Sequence, residues 1–253
     1  MSSRFALFLW LLKLGAVFNL YLLARSFALP ADSVDPRIAV PARIFFAVSA
    51  YRCVFPNRYE GNVVLHASLL SSTFVTRTLA TFAEVAWIFQ AAQVIQLCNV
   101  ERVGWVELFS RLMVAQILVS QICVWGAILS GRVALYFHEE LGWLLIFVLA
   151  TIASAYLLLA ADEPAHGRTL LQLNLAFALV YLPFQVLNLR ALRERVRSEP
   201  RVPGGLRRAL FAYRRATDAE SWGGLIGLTW MTGYWATLVP LWLSRVVELT
   251  QRG

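Results

Sequence analysis

Arg77 and Glu84 lie near the middle of the stretch 66–98, HASLLSSTFVTRTLATFAEVAWIFQAAQVIQLC, which contains neither proline nor glycine. Seven residues apart, they fall about 340° around a helix and share one face, together with His66 and Thr73. A charge at the centre of a membrane helix costs about 2.5–3.5 kcal/mol on insertion scales. The stripe is therefore expected to face protein or a water-filled cavity rather than lipid. Arg77, with its planar donor fork, is the candidate anchor for an anion, and Glu84 is a candidate for handling protons. The plainer alternative is a structural ion pair. The rise between the two residues is about 10 Å, so they meet only if both side chains reach toward each other.

A second group comes from helix starts. In a seven-span arrangement His66 opens the third span, and His138, Glu139 and Glu140 open the fifth. All four then reach one membrane face, where Tyr51 and Arg52 end the second span. Histidine beside carboxylates suits general acid–base catalysis, with Glu84, His66, Glu139 and Glu140 as the catalytic candidates. His138 with Glu139 could instead ligate a divalent metal. Against both, acidic residues in a first helical turn are favoured by the helix dipole alone, and no HExxH-type spacing occurs. A third group, Asn174, Tyr181, Gln185 and Asn188, lines one face of the sixth span. These side chains are candidates for ligand binding or for hydrogen bonds between helices.

The elements that must position these groups follow from composition. The 253 residues are 59% hydrophobic and 15% charged, where a soluble domain carries about 25% charged residues. Mean hydropathy is +0.62. The expected fold is all-α: a polytopic helical membrane bundle of seven transmembrane helices, forming one integral membrane domain over 1–253. The apolar runs are 5–24, 37–56, 66–98, 103–130, 134–160, 170–189 and 222–244, against about 20 residues for a crossing. The run 37–56 is the weakest, with Pro41, Arg43 and Arg52, and six spans remain if it lies at the interface.

The first run is expected to be a retained span rather than a cleaved signal, although Ser26-Phe27-Ala28 offers a small-x-small cleavage site. Lys13, at its centre, is expected to face the bundle and a carboxylate such as Glu84. The polar connector 51–66 carries a turn signal at Pro56-Asn57. Pro183 is expected to kink the sixth span. In the last run, Gly223 and Gly227 have the spacing of a close helix crossing. Trp222, Trp230, Tyr234, Trp235 and Trp242 read as belt anchors and packing groups.

The net charge is +8, and nine arginines fall in 190–215. Read as one basic loop, that segment belongs on the cytoplasmic or equivalent side together with the N-terminus. Cys53, Cys98 and Cys123 form no CxxC pair and suggest neither a disulfide framework nor a zinc site. No Walker A, GxSxG or HExxH pattern is present. No lysine in 221–253 could carry a retinal Schiff base. Basic segments lack the aromatic interleaving of a nucleic-acid reader, and no particular cofactor is implied.

The leading functional reading is a polytopic membrane protein whose polar pocket binds a lipid-like or small anionic molecule, with modification or transport of it left open. Arg77, Asn174, Tyr181 and Gln185 would hold the ligand. A non-catalytic subunit of a larger membrane complex is the alternative, with other membrane subunits meeting it through 222–244. A channel or proton-coupled transporter is the third reading. Membrane lipids are partners in all three.

Overall fold

A computed structural model describes residues 3–30, 33–160 and 165–251. The polar loop expected between the fifth and sixth spans lies outside the described residues as far as Pro164. Among the described residues the fold is all-α apart from three two-residue strands. Five helical segments among them are long and apolar enough to cross a membrane: 5–28, 73–98, 104–130, 133–160 and 167–198. Large apolar side chains such as Val17, Ile122, Leu159 and Leu179 are exposed on them. These features are consistent with an integral membrane protein.

Two expected spans take other forms. Helix α2 (Pro36–Val54) follows α1 (Ser3–Ala28) and is a regular helix, but with Pro41, Arg43 and Arg52 it is not among the five. Asp35 caps it, accepting the Arg37 amide at 2.8 Å, and Pro36 takes the first helical position. The run 222–244 is broken. It contains α8 (Gly224–Met231), a π-helical turn (Thr232–Thr237) and the start of α9 (Leu238–Leu249). The break begins at Gly223 and Gly224, both with positive φ.

The remaining long helices are α3 (Thr73–Cys98), α4 (Gly104–Ser130), α5 (Val133–Ala160) and α6 (Ala165–Ser198). By packing, the chain divides into two compact units, one of residues 1–86 and 206–253 and one of residues 87–205. In the first unit α1 packs along α2, and both pack against the π turn and α9. Gly15 permits the closest approach, since a Cβ there would lie 2.3 Å from the Cβ of Ala236. The close helix crossing thus falls at Gly15 rather than at the expected Gly223–Gly227. A Cβ on Gly227 would strike the carbonyl of Trp222 instead, so that pair serves a tight local turn.

Strands β1 (Asn57–Arg58) and β2 (Val63–Val64) pair antiparallel, and β3 (Arg214–Arg215) joins β2 in parallel. Beyond β3, Trp222 is buried against Phe5 and Phe8, and its indole N–H donates to the Ala216 carbonyl. The turn before it is tied by Asp218, whose carboxylate accepts the Ser221 amide and hydroxyl, both at 2.8 Å.

In the second unit α4 packs on α5 and α5 on α6. Trp87, Trp143, Phe147, Phe177 and Tyr181 form one aromatic cluster with centroid spacings of 4.5–6.2 Å. Helix α6 runs uninterrupted through Pro183 to Ser198. Arg190, Arg193, Arg195 and Arg197 are therefore helical. The stretch 190–199 is built of good helix formers, with no proline before Pro200. The basic segment is thus not a single loop. Its middle is pinned to the α4–α5 turn, where the Val202 amide donates to the Gly131 carbonyl and the Val133 amide to that of Pro200. Its end forms α7 (Leu206–Phe211) and β3.

Two predictions follow from local geometry. Gly131 has φ +70°, and a Cβ there would lie 1.9 Å from the Val202 carbonyl oxygen. Gly131→Ala is expected to cost about 2 kcal/mol or more in detergent thermal unfolding, whereas Gly104→Ala, with open space around it, should change little. The Ser221 hydrogen bonds hold the Asp218 carboxyl below its ordinary value. A depressed pKa contributes stability above the ordinary aspartate range, and that contribution disappears as pH falls through the lowered value. The melting-temperature gap between wild type and Asp218→Ala should accordingly be present at pH 7 and close in strong acid.

Candidate functional site

Arg77 and Glu84 meet. Arg77 Nη1 lies 3.2 Å from Glu84 Oε1, and Nη2 lies 2.5 Å from Oε2, a two-pronged pair across seven residues of α3. Both side chains are buried, at 2% and 6% residue exposure. Thr73 stands on the same helix face, but His66 does not belong to the helix. Residues 66–72 are irregular and include a 3₁₀ turn at Leu69–Ser71. Serines compete there with helical hydrogen bonding. Ser72 then starts α3, its hydroxyl accepting the Val75 amide at 3.3 Å.

The connector before α3 is a fastened hairpin. Its turn needs positive φ at Gly61 and Asn62, at 75° and 52°. The Asn57 amide group donates to the Ser71 carbonyl at 2.7 Å, and the Thr73 hydroxyl donates to Asn62 Oδ1 at 2.7 Å. This clamps the hairpin to the first turn of α3 and fixes Tyr59 between two cations. Arg77 Cζ lies 5.5 Å from the Tyr59 ring centroid, and Arg52 Cζ lies 5.1 Å from it. Arg52 also sits 5.2 Å from the Trp235 ring, presented by the π turn.

Arg52 is 3% exposed. Its Nη2 donates to the Asn57 carbonyl at 2.9 Å, while Nε and Nη1 have no hydrogen-bond partner among the described residues. No described carboxylate lies within ion-pair distance of it. The hydroxyls of Ser49 and Tyr59 are likewise buried without partners. Sequence reasoning placed Arg52 only at the edge of a span, and missed Tyr59 and Asn57 inside the polar connector. A cluster of Arg, Asn and Tyr in an otherwise apolar chain was the signal on offer.

The other candidates fall into structural contacts within their own units. His66 is exposed, with its ring edge-on to Phe55 at 6.0 Å, and His138 is exposed beside Phe137. Glu139 is buried and its carbonyl accepts the Ser120 hydroxyl. The Gln185 amide group donates at 2.7 Å to both the carbonyl and the carboxylate of Glu140. Asn174 donates to the Ser154 hydroxyl, and Tyr181 packs at 4.5 Å on Phe147. That face of α6 is occupied with binding α5. No group of three or more His, Cys, Asp or Glu among the described residues is placed to hold a metal.

Lys13 departs from expectation. It is exposed on α1 and lies 4.8 Å from the face of the Trp10 ring, with no carboxylate partner among the described residues. It shares the outward side of the helix with Trp10, Leu14 and Val17, so it cannot reach Glu84, which Arg77 already occupies.

Removing one member of a buried pair strands the other. Arg77→Ala or Glu84→Ala alone is expected to cost about 3–5 kcal/mol, read as a fall in melting temperature. The double variant Arg77→Leu/Glu84→Leu should lose less than either single change. No protein-family model, curated protein or solved structure matches the chain, so this geometry stands by itself as the guide to function.

Proposed function

We propose that the protein is a multi-pass integral membrane protein that binds a lipid-like or small anionic molecule in the polar interior of its first unit. One observation carries this reading. Around Tyr59, Arg77 is matched by Glu84, but Arg52 is buried with no carboxylate partner among the described residues. A guanidinium stays charged at any physiological pH. Burying it unpaired costs several kcal/mol, which a bound anion would offset. The Arg77–Glu84 pair would then hold Tyr59 in place and keep a second positive charge from competing for the ligand. In the membrane, the arginines of 190–215 would face the cytoplasm or its equivalent.

A second reading, a non-catalytic subunit of a larger assembly, has its own support. An ammonium on the outward side of α1, amid exposed Trp10, Leu14 and Val17, is costly against lipid and suits a neighbouring span that carries a carboxylate.

Native mass spectrometry of protein extracted in mild detergent separates the two. Retention of a negatively charged amphiphile or small anion by the isolated chain is expected, with a melting temperature that rises on adding it back. An isolated chain that carries no anion and is unmoved by anionic amphiphiles, yet always purifies within one large complex, would favour the subunit.

A further inference from the structure

We infer that Arg52 is the anchor of this site and that the group it takes is a singly charged oxyanion, a carboxylate or a phosphodiester. The inference rests on the reading that the first unit binds an anion, and it narrows that reading to one residue and one charge state.

The donor atoms define the chemistry. Nη2 of Arg52 is committed to the Asn57 carbonyl at 2.9 Å. Nε and Nη1 carry the larger part of the donor fork, and among the described residues they donate to nothing. Ser49, one helical turn earlier on α2, is wholly buried with an unpartnered hydroxyl. The Tyr59 hydroxyl is in the same condition, on the ring that Arg52 overlies. Two hydroxyls and two guanidinium nitrogens are donors without acceptors among the described residues, beside one buried acceptor, Asn57 Oδ1, without a donor. What completes them is a group with at least two acceptor oxygens. Arg43 also has a buried Nε without a partner, but the residue is only half-buried, donates to the Ser26 carbonyl and lies over Phe27.

The charge follows by counting. Among the described residues Arg77 and Glu84 pair, which leaves one positive charge on Arg52. A monoanion neutralises it, whereas a dianionic phosphate monoester would leave a buried negative charge at the cost that excludes such groups from apolar surroundings.

The ring beside Arg52 is also held with care. Trp235 lies in the π turn, a distortion that recurs at functional sites. Its carbonyl accepts the buried Asn19 amide at 3.0 Å, and Phe45 stacks on its ring at 5.7 Å. These contacts fix the indole against the guanidinium, so that a ligand would meet its in-plane N–H groups rather than its face.

The test uses the full chain in neutral detergent, delipidated by extensive exchange and followed by thermal shift and native mass spectrometry. The probes are oleate and phosphatidylglycerol, acetate and dimethyl phosphate, phosphatidic acid at pH 9 as a dianion, and a neutral diacylglycerol. Either monoanionic class should bind and raise the melting temperature. Stronger action by the long-chain pair than by acetate and dimethyl phosphate assigns an amphiphile, and equal action assigns a small free anion.

Arg52→Gln should weaken binding by about tenfold or more, while its ligand-free melting temperature equals or exceeds that of wild type, because an unmatched buried charge is gone. Arg52→Lys, which keeps the charge without the fork, should fold and still lose affinity. Arg43→Gln, at the half-buried arginine of α2 that lies outside the site, should keep affinity within about threefold. If Arg52→Gln or Arg52→Lys binds like wild type, Arg52 is not the anchor, although an anion is still bound. Tighter binding of the dianion would overturn the charge assignment. No binding of any anion by wild type would remove the functional reading as well.

Discussion

A positive charge shut away from water must be answered by something close to it, and in the first unit this requirement governs the arrangement around α3. The Arg77 guanidinium cannot leave its helix face, so Glu84 is drawn across two turns to meet it with both oxygens. That closure lies within α3 itself, just past the start of the helix. The start in turn holds the 57–64 hairpin through Asn57, Asn62 and Thr73, and the hairpin delivers Tyr59 to the two guanidiniums. Each step is short-range chemistry. Together they bring Arg52 at the end of α2, Tyr59 in a turn and Trp235 in the last helical run to one place.

Irregular backbone supplies what regular helices could not. An α-helical turn through 232–237 would place its side chains and carbonyls on a different register. The π turn instead lets the Trp235 carbonyl serve Asn19 while its ring serves Arg52 and Phe45. Gly15 allows α1 to come against Ala236 at the same level. The Gly61–Asn62 turn does comparable work for the hairpin, since a β-branched residue at either position would resist the positive φ.

Much of the helical fold was legible from the sequence, because apolar length dominates it: five of the seven expected runs became continuous long helices. The shared face of Arg77 and Glu84 was legible for the same reason, being pure helical periodicity. What escaped depended on tertiary context. The seven residues after Leu65 read as helix because no proline or glycine interrupts them, but serine hydroxyls compete there for the backbone. Lys13 was turned inward on electrostatic grounds. Trp10 gave it a cation–π partner without leaving the surface. The basic segment looked like a loop because arginine is polar, yet arginine is also a good helix former. Arg52, Asn57 and Tyr59 were invisible as a group because no period links the end of one helix to a two-residue strand and a turn.

The two units treat their polar side chains differently, and that difference bears on function. In the second unit many buried and half-buried polar groups find each other: Gln96 with Ser110, Asn174 with Ser154, Gln185 with Glu140, Ser120 with the Glu139 carbonyl. Such pairs join helices where apolar packing alone gives little preference for one register over another. In the first unit, Ser49, Arg52 and Tyr59 are buried with hydrogen-bonding capacity left over. A protein under selection for stability alone has no reason to keep such groups, since an apolar replacement of similar volume would be more stable. Their presence in the unit of Arg52, which has no carboxylate partner among the described residues, supports the proposal that stability was given up there for recognition.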